Sequence, residues 1–286
     1  MKESLAARLR LPGLISAPGI FDMISAKLAD SIGFDVLYMT GYGVVASHLG
    51  LPDAGLATYS DMVGRLRQMV SGIATPLIAD GDTGYGGLLN VDFTVRGYEA
   101  AGAQAIQLED QEFPKKCGHT PGRRVIPIEQ AAHRIRVAAQ ARDSKEFLIV
   151  ARTDARTSMG LDEALRRGEA FARAGADILF IESPESVDEM ERIGRAFDLP
   201  LVANMVEGGR TPILARAELE DLGFKIAIFP TSGFLAMAAA LASVFGELRA
   251  QGSIKNWPGA FYGFDAFSRL MGFERVWDFD RRNAEP

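Results

Sequence analysis

Cysteine is almost absent from this chain of 286 residues: there is one, Cys117, so no intrachain disulfide framework and no cysteine-rich zinc site can form. Histidine is scarce too, with three copies. A basic surplus is missing; the net charge of −6 and pI near 5.3 argue against a nucleic-acid partner, which needs clustered positive surface. An anionic small substrate stays open, because local arginines and a metal ion outweigh a modest global charge. No segment approaches the ~18 uninterrupted apolar residues of a membrane helix. The opening Met1-Lys2-Glu3-Ser4-Leu5-Ala6 lacks an apolar signal region. The expectation is a soluble, untargeted, cytoplasmic protein with no membrane partner. No Walker loop is present, and Pro18-Gly19-Ile20-Phe21-Asp22 is not a dinucleotide fingerprint.

What the chain has is apolar residues, 48% of the total, and a strong alternation of patterns. This length suits one α/β barrel or two smaller domains. Short apolar or β-branched runs occur at 14–18, 36–40, 76–80, 105–108, 147–152, 178–182, 201–204 and 226–229. Helical patterns fall at 23–32, 59–70, 91–101, 128–141, 162–174, 187–197 and 213–222, with an Ala-rich helix at 234–249 after the last run. Gly33, Gly72, Gly102, Gly175 and Gly223 stand where helix C-caps turn the chain back. Eight such units favour a closed (β/α)8 TIM-type barrel over an open doubly wound sheet, which usually has fewer strands. The barrel is expected to span 1–252. The tail, 253–286, carries Trp257, Phe261, Tyr262, Phe264, Phe267, Phe273, Trp277 and Phe279, a helical extension costly to leave in water and expected to pack on a partner subunit.

In such a barrel the chemistry lies where strands end. The second run ends in Tyr38-Met39-Thr40-Gly41-Tyr42-Gly43, with His48 and Asp53 in the loop beyond; the third ends in Asp80-Gly81-Asp82-Thr83-Gly84-Tyr85-Gly86. The later ones end in Glu109-Asp110, Arg152-Thr153-Asp154, Glu182-Ser183, Asn204 and Pro230-Thr231-Ser232. Asp80, Asp82 and Glu109 gather carboxylates on adjacent strands, a set that suits Mg2+ or Mn2+ better than zinc. Turn capping is the plainer reading of Asp80 and Asp82, but the glycines around them let backbone approach a ligand. Arg152 reads as a carboxylate clamp, or as the partner of Glu182 or Asp80. Cys117 lies in Lys115-Lys116-Cys117-Gly118-His119. Charged neighbours lower a thiol pKa, which makes Cys117 a candidate proton donor, acceptor or nucleophile. His133, on a helix with Arg134 and Arg136, reads as a surface residue.

These residues resemble the isocitrate lyase and phosphoenolpyruvate mutase superfamily over essentially the whole barrel. The resemblance rests on Pro18-Gly19 with Asp22 and Ser25-Ala26, Tyr38 to Gly43, Leu51-Pro52-Asp53, Asp80 to Gly86, Leu108-Glu109-Asp110, Ala151 to Asp154 and Glu182-Ser183. Lys-Lys-Cys-Gly-His looks like the lyase branch, and the length is closest to the short lyases of methylisocitrate or 2,3-dimethylmalate. The resemblance implies a homotetramer, a dimer of dimers with exchanged C-terminal helices. It places Mg2+, or Mn2+, on Asp80 directly, with Asp53, Asp82 and Glu109 acting mainly through water. It places an α-keto acid product against Thr40, Gly41 and Arg152, and the second carboxylate against Glu182 and Asn204.

The implied reaction is cleavage of a substituted 2-hydroxy di- or tricarboxylate to an α-keto acid such as pyruvate. In it Cys117 protonates the departing carbanion, Lys116 and His119 tune the thiol, and Tyr38 assists hydroxyl deprotonation. Gly118 and Gly122 permit a closing loop. Gly118, Tyr42 and Ser232 complete the candidate substrate contacts. Two departures are Gly81, where alanine is common, and Tyr42, whose bulk narrows the pocket. An oxaloacetate decarboxylase or hydrolase, or a phosphonate-processing enzyme, is the alternative; it has no need of Cys117 as proton donor.

Overall fold

A computed structural model describes residues 3–118 and 122–284. Eight parallel strands close on themselves in sequence order: β1 Ile15–Ile20, β2 Leu37–Met39, β3 Leu77–Asp80, β4 Ala105–Glu109, β5 Leu148–Thr153, β6 Ile178–Ile181, β7 Leu201–Asn204 and β8 Ile226–Phe229. Closure is made by β1 on β8, with Ile15 opposite Ile226 and Ala17 opposite Ile228. The helices are α1 Leu5–Arg10, α2 Met23–Ile32, α3 Gly41–Leu49, α4 Tyr59–Gly72, α5 Leu88–Ala100, α6 Ile128–Ala141 and α7 Ala155–Met159. They continue with α8 Leu161–Ala174, α9 Val187–Ala196, α10 Arg216–Asp221, α11 Ser232–Gln251, α12 Phe264–Leu270 and α13 Phe273–Asn283.

The period-two alternation of a strand sorts side chains into two cores. Val36, Ile78, Ala105, Leu148, Val150, Ile178, Phe180, Val202, Ile226 and Ile228 fill the barrel interior, and Leu5 and Ala6 of α1 join them. Leu37, Met39, Leu77, Ala79, Ile106, Leu108, Ile149 and Leu179 face outward and meet the helices. The same parity has a chemical consequence. Counting on by two from inward Val36, Ile78, Ala105, Val150, Phe180 and Val202 gives Tyr38 and Thr40, Asp80, Gln107 and Glu109, Arg152, Glu182, and Asn204. An apolar barrel is thus topped by a polar layer.

The helix boundaries depart from the expectation in identifiable places. His48 lies in the last turn of α3, not in a loop: Thr40 caps that helix by accepting from Gly43 N at 3.4 Å, which offsets the poor helix propensity of its two glycines. The expected helix 213–222 is confined to α10, because Glu218 accepts from Ala215 N at 2.6 Å and fixes the start there. Gly33, Gly102, Gly175 and Gly223 have positive φ, but Gly72 is the last residue of α4 and Ile73 follows it in extended conformation. Helix α11 is the largest surprise. It is long and apolar enough, by length and composition alone, to cross a bilayer, and none of its residues is buried within the chain.

Candidate active site

A cavity of about 260 Å3 opens at the C-terminal ends of the strands. It is lined by Tyr38, Thr40, Tyr42, Asp53, Asp80, Glu109, Lys116, Cys117, Gly118, Arg152, Glu182 and Asn204 from the expected set. Gly41 lies just behind the wall, with room for no side chain, since a Cβ there would come within 2.5 Å of Asp80 Oδ2. Asp82 is buried beneath Lys115. Ser232 is not itself a lining residue, but its hydroxyl donates to the carboxylate of Glu207, which lines the cavity together with Thr231, the residue before Ser232. His119 lies outside the described residues.

The acidic residues form one buried group. Asp80 Oδ1 accepts from Asp82 N at 3.1 Å and from Gln107 Nε2 at 3.5 Å. Lys115, which sequence reasoning passed over in favour of Lys116, inserts its ammonium between Asp53 and Asp82, at 2.5 and 2.6 Å. Its burial opposes the charge, but Asp82 and Asp53 outweigh that and hold its pKa well above the usual lysine range. Desolvation pushes the Asp82 carboxyl up to about 7 despite Lys115, and pushes that of Glu109 well above the usual carboxylate range despite Arg152.

Among the described residues no three ligands of the carboxylate, imidazole or thiol type converge ready-made on one point. The donor set nevertheless fits a hard divalent cation. Asp53, Asp80, Asp82 and Glu109 outnumber the cations Lys115 and Arg152, all donors are oxygens, and Glu109 Oε1 is buried without a hydrogen-bond partner. Strain marks the same place: Asp82 and Tyr85 hold φ of 49° and 59°, and Ser183, after β6, holds 59°.

Arg152 is buried and heavily engaged. Its Nε and Nη2 donate to Asp154 Oδ2 and Oδ1, each at 2.9 Å, and it pairs with Glu182 at 3.3 Å and Glu109 at 3.4 Å. Its guanidinium lies 5.1 Å over the Phe180 ring. The expected pairing with Glu182 is there; the main partner, Asp154, was not foreseen, because a residue two positions along the same strand end hides among its neighbours. Asn204 Nδ2 donates to Glu182 Oε2 at 3.0 Å. Gly118 packs directly on this group: a Cβ there would stand 2.2 Å from Arg152 Nη2 and 3.1 Å from Glu182.

The loop after β4 delivers Cys117 to the cavity. Its N–H donates to Asp53 O at 3.1 Å, and Gln111 brackets Lys116 by donating to its carbonyl at 2.9 Å and accepting from its N–H at 3.0 Å. Cys117 is half-buried. The ammonium of Lys116 is exposed and donates to Gly122 O at 3.4 Å. Across the cavity Tyr38 donates to Gln107 Oε1 at 3.1 Å, and burial together with Asp80 raises its pKa well above the usual tyrosine value. An apolar wall stands beside these groups: Tyr42 packs on Phe234 at 5.3 Å between centroids, next to Val206 and Leu235.

Comparison with known proteins agrees with this geometry. The family model described as phosphoenolpyruvate phosphomutase matches residues 5–249. A 2,3-dimethylmalate lyase of Eubacterium barkeri is 46% identical over 284 residues, 99% of this chain and 97% of that protein. A 2-methylisocitrate lyase of Bacillus subtilis (strain 168) is 40% identical over 259 residues, 89% of this chain and 85% of its own. Oxaloacetate acetylhydrolase in complex with 3,3-difluorooxalacetate superposes with a TM-score of 0.93 at 33% identity, covering 100% of this chain and 97% of that one. Phosphonopyruvate hydrolase in complex with oxalate and Mg++ does so with a TM-score of 0.85 at 32% identity, covering 95% of each chain. Similarity of this extent, on one barrel and along nearly the whole chain, shows common descent: the chain belongs to the phosphoenolpyruvate mutase and isocitrate lyase superfamily.

Proposed function

We propose that this chain is a divalent-metal-dependent carbon–carbon lyase that splits a substituted 2-hydroxy carboxylate, of the 2,3-dimethylmalate or 2-methylisocitrate kind, into an α-keto acid such as pyruvate and a second carboxylate. The observation that carries this reading is the position of Cys117. The thiol lines the same small cavity as Asp80, Glu109 and Arg152, so a proton donor, a cation-binding group and a carboxylate clamp all border one substrate. The 46% identity to a 2,3-dimethylmalate lyase supports the substituted malate as first choice.

Mg2+ or Mn2+ would be held by Asp80, with Asp53, Asp82 and Glu109 reaching it mainly through water, and would supply Lewis acidity to the substrate's hydroxyl and carboxylate oxygens. The protein's own groups do the rest. Arg152 and the backbone amides near Thr40 and Gly41 receive the carboxylate of the keto-acid half. Tyr38 stays protonated and acts as a hydrogen-bond donor rather than as the free base. The hydroxyl proton passes to a cavity carboxylate, and Glu109 has an oxygen without a hydrogen-bond partner. Cys117 gives its proton to the carbon of the leaving half, with Lys116 beside it in the chain. Ser183 donates to Gly118 O at 3.2 Å, and Glu182, held by Asn204, packs beside it, so this group orders the loop as it closes over the cavity. A homotetramer with shared C-terminal helices is part of the same proposal, supported by the exposed apolar face of α11.

The test is α-keto acid release from 2,3-dimethylmalate, 2-methylisocitrate, isocitrate and oxaloacetate, with Mg2+ and with EDTA, on wild type and Cys117→Ser. Metal-dependent pyruvate from one of the substituted substrates, lowered roughly 100-fold or more in the variant, is expected. Activity on oxaloacetate alone, indifferent to Cys117, would replace the lyase with a hydrolase or decarboxylase, the reading favoured by the superposition on oxaloacetate acetylhydrolase.

A further inference from the structure

Three buried side chains stand in line behind the cavity. Arg152 lines it; Asp154 accepts from the Nε and Nη2 of Arg152 at 2.9 Å each; Arg123 donates its Nη1 to the same Asp154 Oδ1 at 2.6 Å and its Nη2 to Thr157 Oγ1 at 2.7 Å. The side chains of Arg123, Asp154 and Arg152 are 1%, 0% and 8% exposed. Neither arginine can re-aim into water, so the orientation of one guanidinium constrains the other through the shared carboxylate.

What makes the line informative is where Arg123 comes from. It follows Gly122, whose φ is 78°, on the return arm of the loop that carries Cys117. On the outgoing arm Gly118 packs against the other end of the line, with Arg152 Nη2 so close that no Cβ would fit. Both arms of the thiol loop therefore rest on one ion-paired unit. That unit is itself fixed to the barrel, because Asp154 N donates to Asp110 Oδ1 at 2.9 Å and Asp110 is paired with Arg167 at 2.8 Å.

We propose that Arg123 is a positioning residue: acting through Asp154, it aligns Arg152 for the substrate carboxylate and at the same time sets the root of the Cys117 loop. This rests on the proposed function above only for the turnover half of its test. The carboxylate-binding half stands without it, since oxalate serves as probe.

The experiment is a double-mutant cycle on the full-length protein with Arg123→Ala, Asp154→Asn and their combination, plus Arg123→Lys and the milder Thr157→Val, all screened for folding by thermal melt. Oxalate affinity in Mg2+ is measured by calorimetry, and kcat and KM with the best substrate of the panel. Arg123→Ala is expected to weaken oxalate about 10-fold or more and to lower kcat. Arg123→Lys should recover part of the oxalate affinity, and millimolar guanidinium should partly rescue Arg123→Ala. The two losses should be strongly non-additive in the double variant. Thr157→Val should move the same quantities in the same direction by a smaller factor, which keeps the test alive if the larger changes unfold the chain. Wild-type oxalate affinity in a folded Arg123→Ala, or additive losses in the cycle, would overturn the proposal. Absence of turnover in wild type with intact oxalate coupling would sink the lyase reading and leave this one standing.

Discussion

At Gly118 the space for a methyl group is already occupied by Arg152 Nη2. Most arginine heads would swing aside, but this one is held by Asp154, Glu182 and Glu109 and stacked on Phe180. Gly118→Ala must therefore displace the clamp or lift the Cys117 loop. Its kcat/KM is expected to fall at least ~10-fold, with the melting temperature within a few degrees of wild type, since the cost falls on the loop and not on the core. Wild-type kinetics in this variant would mean that the loop does not rest on Arg152 in solution. The acidic group gives a second prediction at the same scale. Buried carboxylates outnumber the cations beside them, so the proposed divalent ion would bind the folded chain and not the unfolded one. Millimolar Mg2+ should raise the melting temperature and EDTA should reverse it. Asp80→Asn, which removes the proposed direct ligand, should abolish that Mg2+ response, and an equal response in the variant would place the ion elsewhere.

Among the elements, α8 has an unusual duty. Arg167 projects from it to pair with Asp110 just past β4, at 2.8 Å, and with Glu163 one turn back at 2.9 Å. Burial raises the Asp110 carboxyl above its ordinary pKa, and Asp154 adds to that, while Arg167 pulls it down. Arg167→Ala leaves Asp110 without its counter-charge in the interior. A loss of about 3–5 kcal/mol in chemical denaturation is expected, as for a broken buried pair. A much smaller loss would show that Thr153 and the Asp154 amide satisfy Asp110 alone. None of this was legible from the chain. Each strand was, because short apolar or β-branched runs recur eight times between helical patterns, five of which end in glycine. Their positions at the C-terminal ends of the runs then gathered Asp80, Glu109, Arg152, Glu182 and Asn204 at one mouth of the barrel. The α3 helix was hidden by Gly41 and Gly43, which read as loop until the Thr40 cap is seen. Lys115 and Arg123 were hidden for another reason: their significance lies in partners 62 and 31 positions away, and spacing along a loop carries no record of such pairs.

For the whole molecule the unanswered surface is at the C-terminal end. Leu235, Met237, Leu241, Phe245 and Leu248 of α11 are exposed, as are Phe273, Val276, Trp277 and Phe279 of α13. Fully burying a side chain of this size contributes ~1.5–3 kcal/mol, and these are about half exposed, so leaving both faces in water forfeits an amount comparable to a domain's usual net stability. A membrane or a second copy of the chain could cover them. The position of α11 favours the second copy, for its first turn, with Phe234 and Leu235, lines the cavity at the end of β8, and an interface there would stiffen the substrate wall. Sedimentation of the full-length chain at micromolar concentration should give a tetramer, with no flotation on phosphatidylcholine vesicles. Removal of residues 253–286 should lower the assembly state and cut kcat/KM by about 10-fold or more, as α11 loses its cover and the Tyr42–Phe234 wall its rigidity. A monomeric full-length protein with full activity would show that the cavity needs no partner. Vesicle binding would assign α11 to lipid.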